Sequence, residues 1–433
     1  MNRDRIVIIG GGLAGLRAAE RLRELGFTGA VTMIGEEPHA PYNRPPLSKQ
    51  ILEHKVHPAD LGFQVHVELD VDFRRGVRAA RLDPVERLVV LDSGEPVPYD
   101  GAVIATGVSA RPLPTAPGHD ERVVALRTVD DAVTLDAVMR RARRLLIVGG
   151  GFIGCEVAST ARRRALDVTL VDLSPHLLGR VVGPALGAMV TQIHADAGVD
   201  LRLGRSVVQW RTSARGVTAV LDDGALVVAD AVLVAIGTMP RVDWLADLDL
   251  DLRDGVLCDE TCHVVGLDDV VAAGDVARWP NARFGGEARR VEHWINAIEH
   301  GQAAATSLLA GRGAAAPFTP VPRFWSEQHG VRIQAVGVPA LADKIALAEG
   351  SLESRRLVAA CLNGERLVGA LGVDSPRAML RYGELVDRLT TPPTAAAPWL
   401  PSPASLPPPS GRLVERARPT TVAALALGAV RCP

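Results

Sequence analysis

The sequence predicts an α/β fold in which one strand–turn–helix–strand plan occurs twice and a smaller C-terminal α+β domain follows. A buried-strand run leads into the pattern G-x-G-x-x-G at residues 6–15 and again at residues 145–154, and each pattern precedes a helix-like stretch and a second strand. A later apolar strand also recurs, at residues 100–107 and 230–237. A chain of 433 residues is too long for one core, so a repeated domain accounts for much of its length.

Composition and charge narrow the class of protein. Apolar residues make up 47% of the chain and the formal net charge is -2, which is typical of a globular α/β protein and gives no bulk attraction to nucleic acid or an anionic membrane. No apolar run reaches the length of a membrane span and no signal peptide precedes the first strand, so we expect a cytoplasmic protein. The cysteines are odd in number and lack zinc-like spacing, so we expect neither a disulfide framework nor a metal site; they are Cys155, Cys258, Cys262, Cys361 and Cys432.

The glycines of the repeated pattern have separate physical roles. The first allows a tight turn, the second lets the backbone approach a pyrophosphate, and the third lets the helix pack against the strand. The helix N-terminus then presents N–H groups and partial positive charge to the phosphates. These positions are Gly10, Gly12 and Gly15 in the first copy and Gly149, Gly151 and Gly154 in the second.

An acidic residue follows the second strand of each copy, Glu36 in the first and Asp172 in the second. A carboxylate at this position accepts hydrogen bonds from an adenosine ribose, so the repeat predicts two Rossmann-like dinucleotide-binding domains. No arginine follows Asp172 directly to receive a 2′-phosphate, which favours NADH over NADPH.

A third apolar strand, at residues 270–275, ends in Gly-Asp. Asp275 at its carboxyl end is suited to hold the sugar-alcohol chain and phosphates of a flavin, although it could instead cap a helix. A return of this strand to the first unit makes the FAD domain discontinuous. The predicted domains are an FAD-binding domain at 1–110 and 238–315, an NAD-binding domain at 111–237, a C-terminal domain at 316–390, and a Pro-rich linker and tail at 391–433.

The C-terminal domain shows strand character at residues 324–337 and 357–373, with Asn363-Gly364 as a hairpin turn signal, and a helix-like stretch at 376–389. After it, Pro, Ala and Ser dominate, which predicts an extended linker. The last apolar segment of the tail, residues 422–430, fits either a frayed end or a small docking helix.

Several short strings together resemble one known family. They are residues 41–49, 126–128, 273–278, 291–297 and 324–326, which read PYNRPPLSK, LRT, AGDVAR, VEHWINA and FWS. In combination they resemble the putidaredoxin reductase-like family of FAD-dependent, NADH-dependent ferredoxin and rubredoxin reductases, within the pyridine nucleotide-disulfide oxidoreductase superfamily. The resemblance covers roughly residues 1–390 and leaves out the tail.

The resemblance implies a set of cofactor contacts. Arg127 would neutralise pyrophosphate charge with its forked donors, or could be an ordinary surface arginine. Trp294 would offer a flat face to a ring, or could be a core tryptophan. A helix beginning near Asn296 would direct its N-terminus at the reduced flavin, or could simply be a packing helix. The implied FAD contacts are Ala14, Glu36, Arg44, Lys49, Val77, Arg127, Asp275 and Trp294, and Ile153 and Gly237 complete the cofactor-binding set.

Lys49 and Glu156 are the candidate catalytic residues. Related flavoenzymes with two dinucleotides carry a Lys-Glu pair at these places beside the reactive flavin edge. A buried pair is costly unless both charges are matched, which favours a functional role, while a surface salt bridge is the alternative.

The absence of cysteine from one segment indicates how electrons leave the flavin. Dithiol-using relatives place a cysteine pair, and peroxide-reducing relatives a single cysteine, in the segment that here reads residues 42–49 without cysteine. We therefore expect direct transfer from the flavin to an iron-sulfur ferredoxin or rubredoxin that serves a monooxygenase or dioxygenase. Two alternatives stay open: an NADH oxidase or diaphorase, and a redox-dependent interaction protein resembling apoptosis-inducing factor.

Overall fold

The computed structural model of the chain describes residues 3–63 and 69–390, and the predicted tail and Cys432 lie outside them. The chain divides into two compact units: unit 1 comprises Met1–Ala142 and Asp230–Pro322, and unit 2 comprises Arg143–Ala229 and Arg323–Pro433. Residues 111–142 thus fall in the unit of the first glycine pattern, and the C-terminal strands fall in the unit of the second. The predicted boundaries of the FAD and NAD domains stay a prediction.

The described elements, in chain order, are as follows. The first segment of unit 1 contains β1 (Arg5–Ile9), α1 (Leu13–Glu24), β2 (Ala30–Gly35), β3 (Asp72–Arg75), β4 (Ala79–Asp83), β5 (Leu88–Leu91), β6 (Pro96–Pro98), β7 (Gly101–Ile104), β8 (Val108–Ala110), β9 (Val123–Ala125) and α2 (Val129–Arg141). The first segment of unit 2 contains β10 (Arg144–Val148), α3 (Phe152–Arg163), β11 (Asp167–Asp172), α4 (Gly179–Asp196), β12 (Asp200–Leu203), β13 (Val207–Ser213), β14 (Gly216–Leu221) and β15 (Leu226–Ala229).

The chain then returns to each unit once. Unit 1 continues with β16 (Ala231–Val234), β17 (Thr238–Pro240), β18 (Val256–Leu257), β19 (Val270–Ala272), β20 (Ala277–Pro280), β21 (Ala288–Arg290) and α5 (Trp294–Ala310). Unit 2 ends with β22 (Arg323–Gln328), β23 (Val331–Gly337), β24 (Lys344–Ser351), β25 (Arg356–Asn363), β26 (Arg366–Val373) and α6 (Pro376–Thr390). Short 3₁₀ turns lie at Pro58–Leu61, Asp243–Leu245, Gly274–Val276, Ala282–Phe284 and Pro339–Leu341.

The main sheet of unit 1 is parallel, with the strand order β19-β7-β1-β2-β3. β1 lies between β2 and β7, with Ile9 opposite both Ile34 and Ile104. A parallel strand covered on both faces is apolar along its whole length, which explains the unbroken run from Ile6 to Ile9. Because β19 belongs to the same parallel sheet, its end, like the end of β1, lies at the carboxyl edge. The sheet therefore brings Asp275 and the first glycine turn to one edge, because β19 pairs with β7 in the sheet that contains β1.

Helices α1 and α5 pack closely because small residues line their crossing. Ala18, Ala304 and Ala305 are fully buried there. At Gly301 a Cβ would collide with the backbone carbonyl of Ala14. The position of α5 against the glycine turn thus depends on Gly301.

Unit 2 contains both parallel and antiparallel strand pairing. Strands β10, β11 and β12 pair in parallel beside α3 and α4, and β13, β14 and β15 form an antiparallel sheet. The C-terminal sheet is antiparallel with the order β22-β23-β26-β25-β24, and α6 packs on it.

The C-terminal sheet confirms the predicted strands and helix and corrects one detail. Asn363 pairs with Arg366, so the hairpin loop is Gly364-Glu365, one residue later than expected. Gly364 has φ +58°, the left-handed conformation that this loop requires. Strand β24 was not predicted. Among the described helices, none has the length and apolar character needed to span a membrane.

Replacing Gly301 with Ala should destabilise unit 1. In an open helix the change would stabilise by up to about 1 kcal/mol, but overpacking against a backbone atom costs about 1–3 kcal/mol, so we expect a net loss. The measurement is the urea midpoint of the purified protein. Gly118→Ala is the matched control, because a Cβ there meets open space. An unchanged or raised midpoint for Gly301→Ala would contradict the close approach of α1 and α5.

Candidate functional site

In the first glycine turn, two glycines are required by the fold itself, and a third leaves open space beside the backbone. Gly10 has φ +129°, and a Cβ there would collide with the carbonyl of Ala105. A Cβ at Gly15 would collide with the carbonyl of Gly10. At Gly12, by contrast, a Cβ would meet no protein atom within 4 Å. The fold itself therefore requires Gly10 and Gly15, whereas Gly12 leaves open a space that a pyrophosphate fits.

The second turn repeats this geometry in unit 2. Gly149 has φ +115°, and a Cβ at Gly154 would collide with its carbonyl. Gly151 again faces open space. Ile153, in the first turn of α3, is 40% exposed. Two turns of the same shape thus lie at the carboxyl ends of β1 and β10.

Each turn leads directly into a helix whose N-cap is glycine. Gly12 precedes α1 and Gly151 precedes α3, and neither N-cap makes a side-chain hydrogen bond. Their first N–H groups lack partners within the helix, as at any helix start. An anionic group in the adjacent space would satisfy these donors and interact favourably with the helix dipole.

The two acidic residues differ in their surroundings. Asp172 ends β11 and accepts hydrogen bonds on both oxygens, from the Gly150 N–H at 2.6 Å and the Ser174 N–H at 2.6 Å. Glu36 follows β2, is exposed, and forms an ion pair with Arg241. Asp172 is therefore held by its own glycine turn, and Glu36 by an arginine that sequence reasoning missed.

Three of the predicted flavin contacts meet in unit 1. Arg127 donates from Nη2 to Asp275 Oδ2 at 2.9 Å, and the two side chains are 28% and 15% exposed. Arg44 donates from Nη1 to the backbone carbonyl of Arg127 at 2.8 Å. Two guanidinium groups and one carboxylate thus lie together beside the carboxyl edge of the sheet. This donor set suits a diphosphate flanked by sugar hydroxyls.

Arg44 is held by residues to which the sequence assigned no role. It donates to Glu37 Oε1 at 2.5 Å, and its guanidinium lies over the Tyr42 ring, 4.9 Å from the ring centre. The Tyr42 hydroxyl donates to Glu37 and accepts from the Val129 N–H at 2.9 Å. Burial raises the pKa of Tyr42, so its hydroxyl stays protonated and keeps both links. The signal for these residues was the string at 41–49, which contains Tyr42 but not Glu37.

Trp294 begins α5, two residues earlier than the expected start near Asn296. Its indole N–H donates to Asn43 Oδ1 at 2.9 Å, which fixes the ring relative to the segment that carries Arg44. His293 precedes the helix. Burial lowers the pKa of His293 to about 4, although the nearby charge of Asp275 acts to raise it. At neutral pH the start of α5 therefore carries a neutral imidazole.

The remaining predicted residues of unit 1 have ordinary structural contacts. A Cβ at Gly274 would lie 2.9 Å from Ala14 Cβ, so a small residue at position 14 lets the Asp275 turn approach α1. The Val77 N–H donates to the Gly35 carbonyl at 3.0 Å, next to Glu36. Gly237 has φ +105° after β16.

Lys49 and Glu156 lie in different units, and their pairing stays a prediction. Lys49 Nζ donates to Ser48 Oγ at 3.4 Å. Glu156, on α3, is 5% exposed and accepts a hydrogen bond from Ser326 Oγ at 2.6 Å. A buried carboxylate is costly, so this strong hydrogen bond helps to offset its desolvation.

The described cysteines are all buried thiols. Burial, reinforced by Asp172 and Glu156, raises the pKa of Cys155 well above its usual value. Burial also raises the pKa of Cys258 to about 12 and that of Cys262 well above its usual value. Reactivity needs the thiolate, so these thiols are poor nucleophiles at neutral pH. Within residues 3–63 and 69–390, no group of three or more metal-binding side chains comes together.

Comparison with known proteins assigns the chain to a family. Residues 4–301 match the pyridine nucleotide-disulphide oxidoreductase family, and residues 323–398 match the reductase C-terminal family. The ferredoxin–NAD(+) reductase component of the p-cumate 2,3-dioxygenase system of Pseudomonas putida is 35% identical over 87% of this chain and 91% of that protein. Putidaredoxin reductase of Pseudomonas putida is 32% identical over 90% of this chain and 93% of that protein.

Solved structures agree. Putidaredoxin reductase in its covalent complex with putidaredoxin matches with a TM-score of 0.84 and 30% identity, over 89% of this chain and 93% of that one. A water-forming NADH oxidase from Lactobacillus brevis matches with a TM-score of 0.80 but 19% identity, which shows a shared fold alone. The chain belongs to the pyridine nucleotide-disulphide oxidoreductase family and, within it, to the group that contains putidaredoxin reductase and the ferredoxin–NAD(+) reductases of dioxygenase systems.

Proposed function

We propose that this protein is an NADH:ferredoxin reductase that uses FAD. NADH gives a hydride to the bound flavin, and the electrons pass singly to an iron-sulfur ferredoxin that serves a dioxygenase or monooxygenase. The observation that carries the proposal is the pair of glycine turns, because Gly12 and Gly151 each face a space that the fold itself does not fill. A cytoplasmic location stays a prediction from the sequence.

Unit 1 fits FAD better than a second NADH. The Arg44, Arg127 and Asp275 cluster adds two cations and a carboxylate to the glycine turn, which matches a diphosphate joined to a sugar alcohol. Glu36 lies at the position for the adenosine ribose, and Trp294 presents an indole face at the start of α5. FAD, when bound, supplies the chemistry that accepts a hydride and releases electrons one at a time.

Unit 2 fits NADH. Asp172 is oriented by the Gly150 and Ser174 N–H groups, so its carboxylate lies at the edge of the turn where the adenosine ribose binds. A carboxylate there accepts from the 2′-hydroxyl and repels a 2′-phosphate, which favours NADH. In the proposed reaction this chain mainly orients the two nucleotides for hydride transfer. Lys49 and Glu156 are the charged side chains proposed beside the reacting atoms.

The ferredoxin acceptor follows from the relatives and from the chemistry of the cysteines. The curated relatives with about a third of their residues in common are named as ferredoxin–NAD(+) reductase components. A thiol route would need a reactive cysteine, and the segment at 42–49 contains none. Direct transfer from the flavin to an iron-sulfur partner needs no thiol.

Anaerobic stopped flow tests the proposal. NADH should bleach the flavin in one phase, and an oxidised two-iron ferredoxin should restore its colour in a second phase. Dissolved oxygen, mixed in place of ferredoxin, should restore it more slowly. Faster recovery with oxygen than with every ferredoxin of a panel would favour an NADH oxidase. A preparation that folds but binds no FAD would overturn the proposal itself.

Gly12→Ala and Gly151→Ala should separate the two nucleotide sites. Neither Cβ meets a protein atom, so both variants should keep the unfolding midpoint of the apoprotein. Gly12→Ala should lower FAD content, whereas Gly151→Ala should keep FAD and raise the NADH KM by about tenfold or more, because a methyl group blocks the close approach of a pyrophosphate. Each variant is the other's control. Loss of FAD from Gly151→Ala, with normal FAD in Gly12→Ala, would reverse the assignment.

The described cysteines should be unreactive and dispensable. At pH 8, a Cys432→Ser protein should react with an aromatic disulfide at least about 100-fold more slowly when native than when unfolded in guanidinium chloride, because its four remaining thiols are buried. Single changes of Cys155, Cys258 or Cys262 to Ala that fold should keep ferredoxin turnover. A thiol that labels rapidly in the native protein, and whose removal stops reoxidation but not bleaching, would point to a thiol route.

A further inference from the structure

A buried chain of hydrogen bonds within unit 2 ends at Glu156. Ser326 Oγ donates to Glu156 Oε1 at 2.6 Å, and Gln328 Nε2 donates to Ser326 Oγ at 3.0 Å. His194 Nε2 lies 3.0 Å from Gln328 Oε1, and His329 Nε2 lies 3.1 Å from His194 Nδ1. His194, Ser326 and Gln328 are at most 1% exposed, and His329 is half-buried. The chain therefore connects the interior carboxylate with the edge of the unit.

The chemistry of the groups fixes the direction of every bond. An amide oxygen only accepts, so His194 Nε2 must carry the hydrogen that faces Gln328. The other nitrogen of a neutral imidazole then accepts, so His329 Nε2 must donate to His194. At the far end, the hydroxyl of Ser326 receives one hydrogen bond and gives its own hydrogen to the carboxylate. All four donors thus point toward Glu156.

His194 has to be neutral for this order to hold, because its Nδ1 accepts a hydrogen bond, whereas His329 can donate from Nε2 in either charge state. Burial lowers the pKa of His194, although its bond to Gln328 acts in the opposite sense. Burial, the neighbouring His194 and the cations Arg163 and Arg162 lower the pKa of His329 to about 4. At pH 7 both rings are therefore uncharged, and each has one donor and one acceptor nitrogen.

The backbone presents these groups on matching faces. Ser326 and Gln328 are two residues apart on β22 and share one face of the strand with Phe324. The rings of Phe324 and Phe152 pack edge to face, with their centres 4.8 Å apart. Phe152 lies one helical turn before Glu156 on α3. The His329 N–H donates to Ser159 Oγ at 2.7 Å, also on α3. Strand β22 is thus attached to α3 both before and after the hydrogen-bond chain.

We propose that Ser326, Gln328 and His194 are positioning residues that hold the Glu156 carboxylate in the orientation needed for flavin reduction by NADH. The inference rests on the proposed function, in which Glu156 lies beside the reacting atoms. The chain orients and does not conduct protons. Gln328 accepts at its oxygen and donates at its nitrogen, so a proton could pass only if the amide changed to its imidic acid form.

The first test compares serine variants by anaerobic stopped flow. Ser326→Ala should slow flavin bleaching at saturating NADH by about tenfold, with the NADH dissociation constant unchanged, because a hydrogen bond to a charged acceptor is lost while the nucleotide turn is intact. Ser326→Thr keeps the hydroxyl and should restore most of the rate. Ser375→Ala is the matched control, because this serine donates to the Val373 carbonyl next to the same C-terminal sheet. A normal bleaching rate in Ser326→Ala would overturn the proposal.

Glu156→Gln distinguishes failure of this inference from failure of the proposed role of Glu156. If Glu156→Gln bleaches as fast as the unchanged protein, Glu156 has no part in the reaction and both ideas fail. If it is slow while Ser326→Ala is fast, only the positioning chain fails. If both are slow, adding Ser326→Ala to Glu156→Gln should cost little more, because the two changes act on one group. Independent, multiplying effects would overturn the inference.

A second readout needs no flavin and no activity. Long-range ¹H–¹⁵N NMR of histidine-labelled protein at pH 7 should show the rings of His194 and His329 as neutral Nε2–H tautomers, assigned with His194→Gln and His329→Gln. An Nδ1–H tautomer at His194 would reverse the chain and refute the proposal. Should Ser326→Ala fail to fold, Gln328→Met removes two links and leaves Ser326 in place. Bleaching should then slow by about threefold, and no change would again overturn the proposal.

Discussion

Both units depend on a steric constraint at the end of their first strand, where the chain must pass from a buried parallel strand into a helix within a few residues. Gly10 and Gly149 adopt positive φ to make this turn, and Gly15 and Gly154 let the helix return to within contact of it. A Cβ at Gly10, Gly15 or Gly154 would collide with backbone atoms, and Gly149 has a φ that other residues rarely adopt. The same geometry leaves the helix N-terminus unblocked beside an open space. The space proposed for a pyrophosphate is therefore a consequence of how the strand, turn and helix pack together.

The charged groups around the first turn are held in place before any nucleotide contacts them. Arg127 is paired with Asp275, Arg44 with Glu37, and these pairs are only partly exposed. A guanidinium already oriented by a neighbour loses less conformational freedom when it binds a phosphate than a mobile surface arginine does. Such pairs contribute modestly to stability, because desolvation offsets much of their attraction. Their main effect is to arrange donors and acceptors around one site.

The sequence was informative where structure is local. The glycine turns, the strands that precede them and the acidic residues at the ends of β2 and β11 could be predicted because each signal lies within about 30 residues and follows from backbone geometry. Strand β24 was missed because its Ala, Leu and Glu residues favour helix, and pairing with β25 overrides that preference. The hairpin was displaced by one residue because both Asn363 and Gly364 are turn formers.

The side-chain contacts of the site could not be predicted from sequence patterns, because the residues in contact are far apart in the chain. Ser326 is 170 residues from Glu156 in sequence, and His194 is 134 residues from Gln328, so no spacing rule connects them. Arg241 and Glu36, which form an ion pair, are also far apart in the sequence, because they belong to the two separate segments of unit 1. The resemblance directed attention to strings that contain Tyr42 and Ser326, but only the packed structure assigns them partners.

The segment at 42–49 explains how a fold shared with dithiol enzymes can work without a thiol. This segment contains no cysteine. Here Asn43 holds the Trp294 indole and Arg44 holds the Arg127 backbone, so the segment supports the flavin-side groups instead of exchanging electrons with them. The cysteines found elsewhere in the described structure are buried, and burial raises the pKa of Cys155, Cys258 and Cys262, so these three thiols are poorly suited to that role. In the proposed function, the reducing equivalents leave from the flavin itself, which is compatible with a one-electron acceptor such as an iron-sulfur cluster.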